Sequence, residues 1–316
     1  MNDLIKKAEH LPVGVIATTV GLATLSNIYA GIGFEGVRHV TMIASIFVWV
    51  AAFIKMTVYH KAFRKDYSNV VPASLYATFT MLTMILGNYI FNFHAGIGRI
   101  IWLAGVVLHF VHILIFTYQN VIKGVKRDTF VPSWFVTYMG FLVSTVVGVP
   151  MGMPLLLTAI LYYAFPVYTI LIICMIYRMI AHPVLPQFEL TKAIFLAPSS
   201  LLFVGYLNAF ENPIPAIVFT IYGILFITII YVACKLPSFL SKPFNPGHAA
   251  LTFPTAIATV ATSRMSDFLT NNGWGRQGEL IYQFFGIQLW ITTAIMAYVG
   301  FNFLKIFVDS CKNKKI

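Results

Sequence analysis

Apolar runs of about 20 residues, each long enough to cross a bilayer, follow one another along almost the whole chain with only short polar breaks between them. Hydrophobic residues make up 59% of the 316 and charged residues only 10%, with a mean hydropathy of +0.82, a balance foreign to water-soluble domains. Lipid cannot satisfy an open strand edge, so a chain dissolved in it must form helices or closed barrels. These runs are too long and too uniform for barrel strands. The sequence therefore predicts an all-α integral membrane protein with ten transmembrane helices, at about 12–30, 37–59, 72–92, 98–121, 132–149, 154–180, 192–209, 214–238, 247–269 and 280–308.

A proline recurs beside these runs at nearly constant spacing: Pro12, Pro72, Pro132, Pro186 and Pro246, separated by 60, 60, 54 and 60 residues. Each stands at or just before a long apolar run, where its missing N–H is unneeded and its φ is already near helical. A repeat of about 60 residues suits a helical hairpin that crosses the bilayer out and back. Loops also attract proline, and five of fifteen can fall in step by chance; the similar segments between them favour the repeat. The expected hairpins are 12–71, 72–131, 132–185, 186–245 and 246–316, in a single transmembrane domain with tails too short for a second one. Residues 1–11 are polar and charged, and the run after them is long enough to span, so the first helix is expected to be kept and not cleaved.

Charge orients this map. With the N-terminus in the cytoplasm, the inside holds Lys6, Lys7, Lys55, Lys61, Arg64, Lys65, Lys123, Lys126, Arg127, Arg178, Lys192, Lys235, Lys242, Lys305, Lys312, Lys314 and Lys315. The outside keeps only Arg38, Arg99, Arg264 and Arg276. So strong a positive-inside bias predicts a multi-pass protein of the cytoplasmic (inner) membrane with both termini cytoplasmic. The net charge of +11 reads as membrane orientation and not as a nucleic-acid surface, because no basic run is interleaved with aromatics. Cys174, Cys234 and Cys311 form no close pair, which argues against a disulfide framework and a metal knuckle alike.

Helix breakers collect in the first member of each expected pair: Gly14 and Gly21, Gly87, Gly140 and Gly148, Pro198 with the neighbouring Ser199 and Gly205, and Pro254. Breakers persist in membrane helices where neighbours or water re-satisfy the freed backbone. As a set they suggest five inner helices lining an aqueous path inside five outer ones; singly, each glycine is explained as well by close helix packing. Carboxylates are nearly absent from the spans, Asp267 being expected to pair with Arg264 on one helix face. Ion-coupled carriers often keep a buried carboxylate. A path without one, with a basic mouth, suits an anion.

Few residues offer chemistry. His109 and His112 lie three apart and can share a helix face, but a metal needs three or four ligands and no acidic or Cys partner accompanies them. Packing or interhelical hydrogen bonding is the stronger reading. His248 opens the ninth span, as a pH sensor or, more simply, as an interfacial polar residue. No GxSxG, HExxH or phosphate-loop motif is present, so neither an enzyme nor a cofactor is expected. The ninth span carries Thr252-Phe253-Pro254, in which the proline removes one backbone bond and disfavours regular helix at Phe253. If that bend faces the path, Phe253 plugs it as a dehydrated constriction; if it faces lipid or a neighbour, Phe253 is one core aromatic among 28 phenylalanines.

This Thr-Phe-Pro setting, together with Leu185-Pro186-Gln187-Phe188, Leu196-Ala197-Pro198 and Pro12-Val13-Gly14 through Gly21-Leu22-Ala23, resembles the tellurite-resistance/dicarboxylate transporter family. That family includes bacterial TehA proteins, fungal malate carriers and the slow-type anion channels of plant guard cells. The resemblance covers the whole chain in length, span count and hairpin order. It implies a homotrimer with a pore in each subunit, formed by five inner helices in quasi-fivefold arrangement, and it puts the family's gating phenylalanine at Phe253; the proline bend makes Pro254 and Thr252 the expected hinge. Val15 and Ile16 stand where the family commonly has aromatics, Leu251 replaces a frequent aromatic two before the gate, and the long regulatory tails of the plant channels are missing.

The expected function is an anion channel or channel-like transporter passing small monovalent anions such as chloride and nitrate, nitrate the more easily because it sheds water more readily. The alternative is a secondary carrier of C4-dicarboxylates such as malate, possibly proton-coupled. It lacks a central Lys or Arg, although helix N-termini can also hold carboxylates. Tellurite efflux has no residue-level support.

Overall fold

The computed structural model describes residues 6–312, and all described secondary structure is helical. The expectations for Lys314 and Lys315, and for the side chains of Cys311 and Lys312, lie outside the described residues. Among the described residues, eight helices are long and apolar enough to cross a membrane: α1 Val13–Gly31, α2 Glu35–Thr57, α3 Val70–Phe91, α4 Ala95–Ile122, α6 Pro154–Ala181, α7 Pro186–Ala209, α8 Pro215–Leu240 and α10 Gly275–Ser310. The fifth and ninth expected spans are helical too but differ in kind. The former, α5 (Trp134–Val147), is shorter and broken by a 3-10 turn at Gly140–Leu142. The latter, α9 (246–271), joins a 3-10 stretch, Pro246–Leu251, to an α-helix, Thr252–Asn271, that carries Arg264 and Asp267.

Burial separates the odd helices from the even ones. In α1, α3 and α7, 61, 78 and 89% of the membrane-length stretch is buried in the protein; in α2, α4, α6, α8 and α10 the shares are 22, 39, 33, 33 and 28%. Both sets are apolar, so hydrophobicity alone does not sort them, as expected where lipid is the solvent. Small and hydroxylated side chains do. In α9 the hydroxyls of Thr252, Thr259 and Thr262 donate back to the carbonyls of Ala249, Thr255 and Ala258, which satisfies them within their own helix and lets that face be buried. Contacts between odd helices run in a closed cycle, α1 to α3 to α5 to α7 to α9 and back to α1, and each odd helix also packs on the even helix that follows it.

Two reversals show how sharply a hairpin closes. Gly33, after α1, and Gly273, after α9, have φ of 98° and 83°, a conformation other residues adopt only with strain. The next amide, of Phe34 or Trp274, donates to the carbonyl of Tyr29 or Leu269 at 2.8 and 2.9 Å, the Schellman closure of a helix C-terminus.

Two of the cations counted on the cytoplasmic side, both near the ends of expected spans, are buried. Lys55, in the last turn of α2, is 4% exposed; its Nζ donates to Asp66 Oδ2 at 2.7 Å and to the Leu11 carbonyl at 2.8 Å. Arg178, near the end of α6, donates to the carbonyls of Arg127 and His182. Both tie loops together, and an amine with a carboxylate and a carbonyl in reach bears burial that a lone charge would not. The expected Arg264–Asp267 pair is not among the ion pairs of the described residues; both side chains are exposed, where solvation competes with so weak a contact.

Candidate functional site

A narrow cavity of about 20 Å³ lies where the five odd helices meet, room for about one water molecule. All five contribute: Ala17 from α1, Thr78 and Met81 from α3, Phe135 and Gly140 from α5, Ala197 from α7, and Ala250, Phe253 and Pro254 from α9. Thr78 has the one polar side chain of the lining, and its hydroxyl is already donated to the Leu75 carbonyl at 2.6 Å. Every lining residue follows its helix's entry proline by 3 to 15 positions, so the cavity belongs to the half of the bundle in which the odd helices begin.

Phe253 is 6% exposed and stands in this lining. Its helix is not the regular one interrupted by a bend that the sequence suggests. The 3-10 stretch ends at Leu251, the α-helix begins at Thr252, and Pro254 occupies the first turn, where proline costs little. The Thr252 hydroxyl donates to Ala249 O at 2.7 Å, and that of Thr255 lies 2.7 and 2.9 Å from Leu251 O and Thr252 O, so threonine side chains cover carbonyls at the junction. Thr252 itself is fully buried and outside the cavity lining.

The other singled-out residues divide. Gly140 lines the cavity. Gly21 lies outside the lining, against the backbone of the gate candidate: a Cβ there would stand 2.7 Å from Phe253 N and 2.9 Å from Thr252 C. Gly14 meets the Pro246 carbonyl and Gly87 the backbone of Trp102, so both serve helix crossings. Pro198 neighbours the lining residue Ala197 without lining the cavity itself, and Ser199 bonds the Tyr168 hydroxyl of α6 at 2.7 Å. Ala17, Ala197, Ala249 and Ala250 were not singled out as lining residues from the sequence, because an alanine in an apolar run carries no signal of its own.

Behind this wall the two histidines tie α4 to its neighbours. His109 Nδ1 lies 2.6 Å from Thr80 Oγ1 and its Nε2 2.9 Å from the Thr137 carbonyl, while His112 bonds the Tyr67 hydroxyl and Thr137 Oγ1 at 3.0 and 3.3 Å. Both ring nitrogens of each are thus engaged by α3, α5 or the preceding loop. No group of three or more potential metal ligands occurs among the described residues. His248 forms a capping box with Asn245 at the start of α9 and stacks on Phe244. Cys174 and Cys234 are free and exposed on even helices.

Membrane-length helices arranged around a narrow apolar cavity define a membrane protein of the channel or transporter class. Residues 10–304 match the family described as voltage-dependent anion channel (SLAC1), so the chain belongs to that family of anion channels and transporters, in keeping with the resemblance seen at Phe253. A comparison with curated proteins returned no match.

Proposed function

We propose that this chain is a channel, or channel-like transporter, for small monovalent anions such as chloride and nitrate, closed at rest by Phe253. The observation that carries the reading is the position of Phe253 in a lining shared by all five odd helices, around a space too narrow for an anion with its water shell. No charged side chain lines that space, so attraction must come from elsewhere. All five odd helices begin at this end, so the positive ends of their dipoles stand on the cavity's side of the bundle. Basic residues at the same end add to the potential. Discrimination then follows dehydration cost, nitrate passing more easily than chloride.

Opening moves the Phe253 ring, with the junction from Thr252 to Pro254 as hinge and Gly21 as the surface it moves against. Three subunits, each with its own pore, sit in the cytoplasmic membrane with their termini in the cytoplasm. A dicarboxylate such as malate would lose its hydration shell in an apolar cavity without gaining a cation, which favours the monovalent reading over the carrier.

Purified protein in liposomes tests this. Phe253→Ala is expected to carry chloride and nitrate far faster than the nearly silent wild type, nitrate ahead, with malate slow in both. Saturable malate uptake driven by a proton gradient, unchanged by Phe253→Ala, would replace the channel with the carrier.

A further inference from the structure

A second cavity, of about 230 Å³, opens at the end of the bundle where α4 leaves and α3 and α5 begin. Lys123 and Lys126 line it, together with Tyr67, Ser68, Gln119 and Asn120, and no carboxylate does. The carboxylate next to the lining in sequence, Asp66, is engaged by the Lys55 ammonium and the Tyr76 hydroxyl, and Asp128 is paired with Arg127. Neither lysine ammonium has a hydrogen-bond or ion-pair partner among the described residues; that of Lys123 lies over the Tyr118 ring, 4.8 Å from its centroid.

The walls, by contrast, are fixed by their own bonds. Tyr67 is held by His112 at 3.0 Å, Ser68 Oγ donates to Lys65 O at 2.7 Å, and Asn120 Nδ2 donates to Phe116 O at 3.1 Å. The Trp134 indole donates to Thr129 O at 2.8 Å across the floor. A π-helical turn, Tyr118–Ile122, widens the end of α4 and carries Gln119 and Asn120; such turns recur at functional sites. Hydrogen-bonded polar walls, two ammonium groups without an acid partner and no carboxylate in the lining form a receptor for a compact multivalent anion, since lysine acts on phosphate as a point charge. Ile122, beside the cleft, is 70% exposed, so the opening borders apolar surface as well as water.

We propose that this cleft binds a phosphate group, either free or borne by a lipid. The site is separate from the central cavity and shares no lining residue with it. The test is calorimetric titration of the full-length protein in detergent with inorganic phosphate and, separately, with short-chain phosphatidic acid. Saturable binding is expected for at least one probe: phosphate alone identifies a soluble ligand, and the lipid alone identifies a headgroup. Lys123→Gln with Lys126→Gln is expected to weaken binding at least about tenfold, Lys123→Arg with Lys126→Arg to retain it, and Phe253→Ala to leave it unchanged. Because both lysines are exposed, the unfolding temperature of the double Gln variant should match the wild type. Absence of saturable binding by either probe, or equal binding by the double Gln variant, overturns the proposal.

Discussion

At the scale of single residues, the gate candidate is held from behind and borders the cavity in front. Phe253 faces the cavity while its backbone lies against Gly21, so the glycine sets how closely α1 and α9 approach. Gly21→Ala would place a methyl group against backbone atoms that cannot rotate away, and overpacking of this kind costs about 1–3 kcal/mol. Thermal unfolding in detergent should show the loss; an unchanged midpoint would mean that the two helices separate freely there. His109 is a second such case. Replacing it with leucine leaves the buried Thr137 carbonyl without its 2.9 Å partner, a loss of about 1–3 kcal/mol, whereas the Thr80 hydroxyl keeps its bond to Ala77 O. The same unfolding measurement should find His109→Leu destabilised, and stability equal to the wild type would deny the interhelical role.

At the scale of elements, Lys55 joins the end of α2 to the entry of α1 and to the short helix His60–Tyr67. Lys55→Met should lower stability by roughly 1–3 kcal/mol, less than for a fully enclosed pair because the Asp66 side chain is 36% exposed. A variant unfolding at the wild-type temperature would show the clamp to be idle. Helix positions were legible in the sequence because lipid leaves a chain few choices. An apolar run of spanning length must be helical, and its polar breaks must turn. The entry prolines were equally readable: Pro12 caps α1, and Pro186 and Pro246 open α7 and α9. Hidden from sequence were the 3-10 stretches, which depend on how helices pack against one another, and the burial of Lys55 and Arg178, whose partners Leu11 and Arg127 lie 44 and 51 positions away. Within the site, Phe253 stood out through its proline, while the alanine lining did not.

At the scale of the whole molecule, the even helices present apolar surface outward, with Phe47, Ile170, Ile227 and Trp290 each more than 60% exposed. Lipid and neighbouring subunits are the expected cover, and native mass spectrometry should find three copies; a monomer under mild detergent would remove the trimer from the account. A fluorescent protein fused to the C-terminus should fold and fluoresce in the cytoplasm, and a dark fusion would invert the proposed orientation. The central claim remains that one aromatic ring closes a path lined by five helices. It is tested most directly by anion conductance of reconstituted Phe253→Leu, Phe253→Val and Phe253→Ala beside the wild type. Conductance should rise as the side chain shrinks, with nitrate above chloride throughout. Equal, silent traces from all four correctly folded proteins would contradict it.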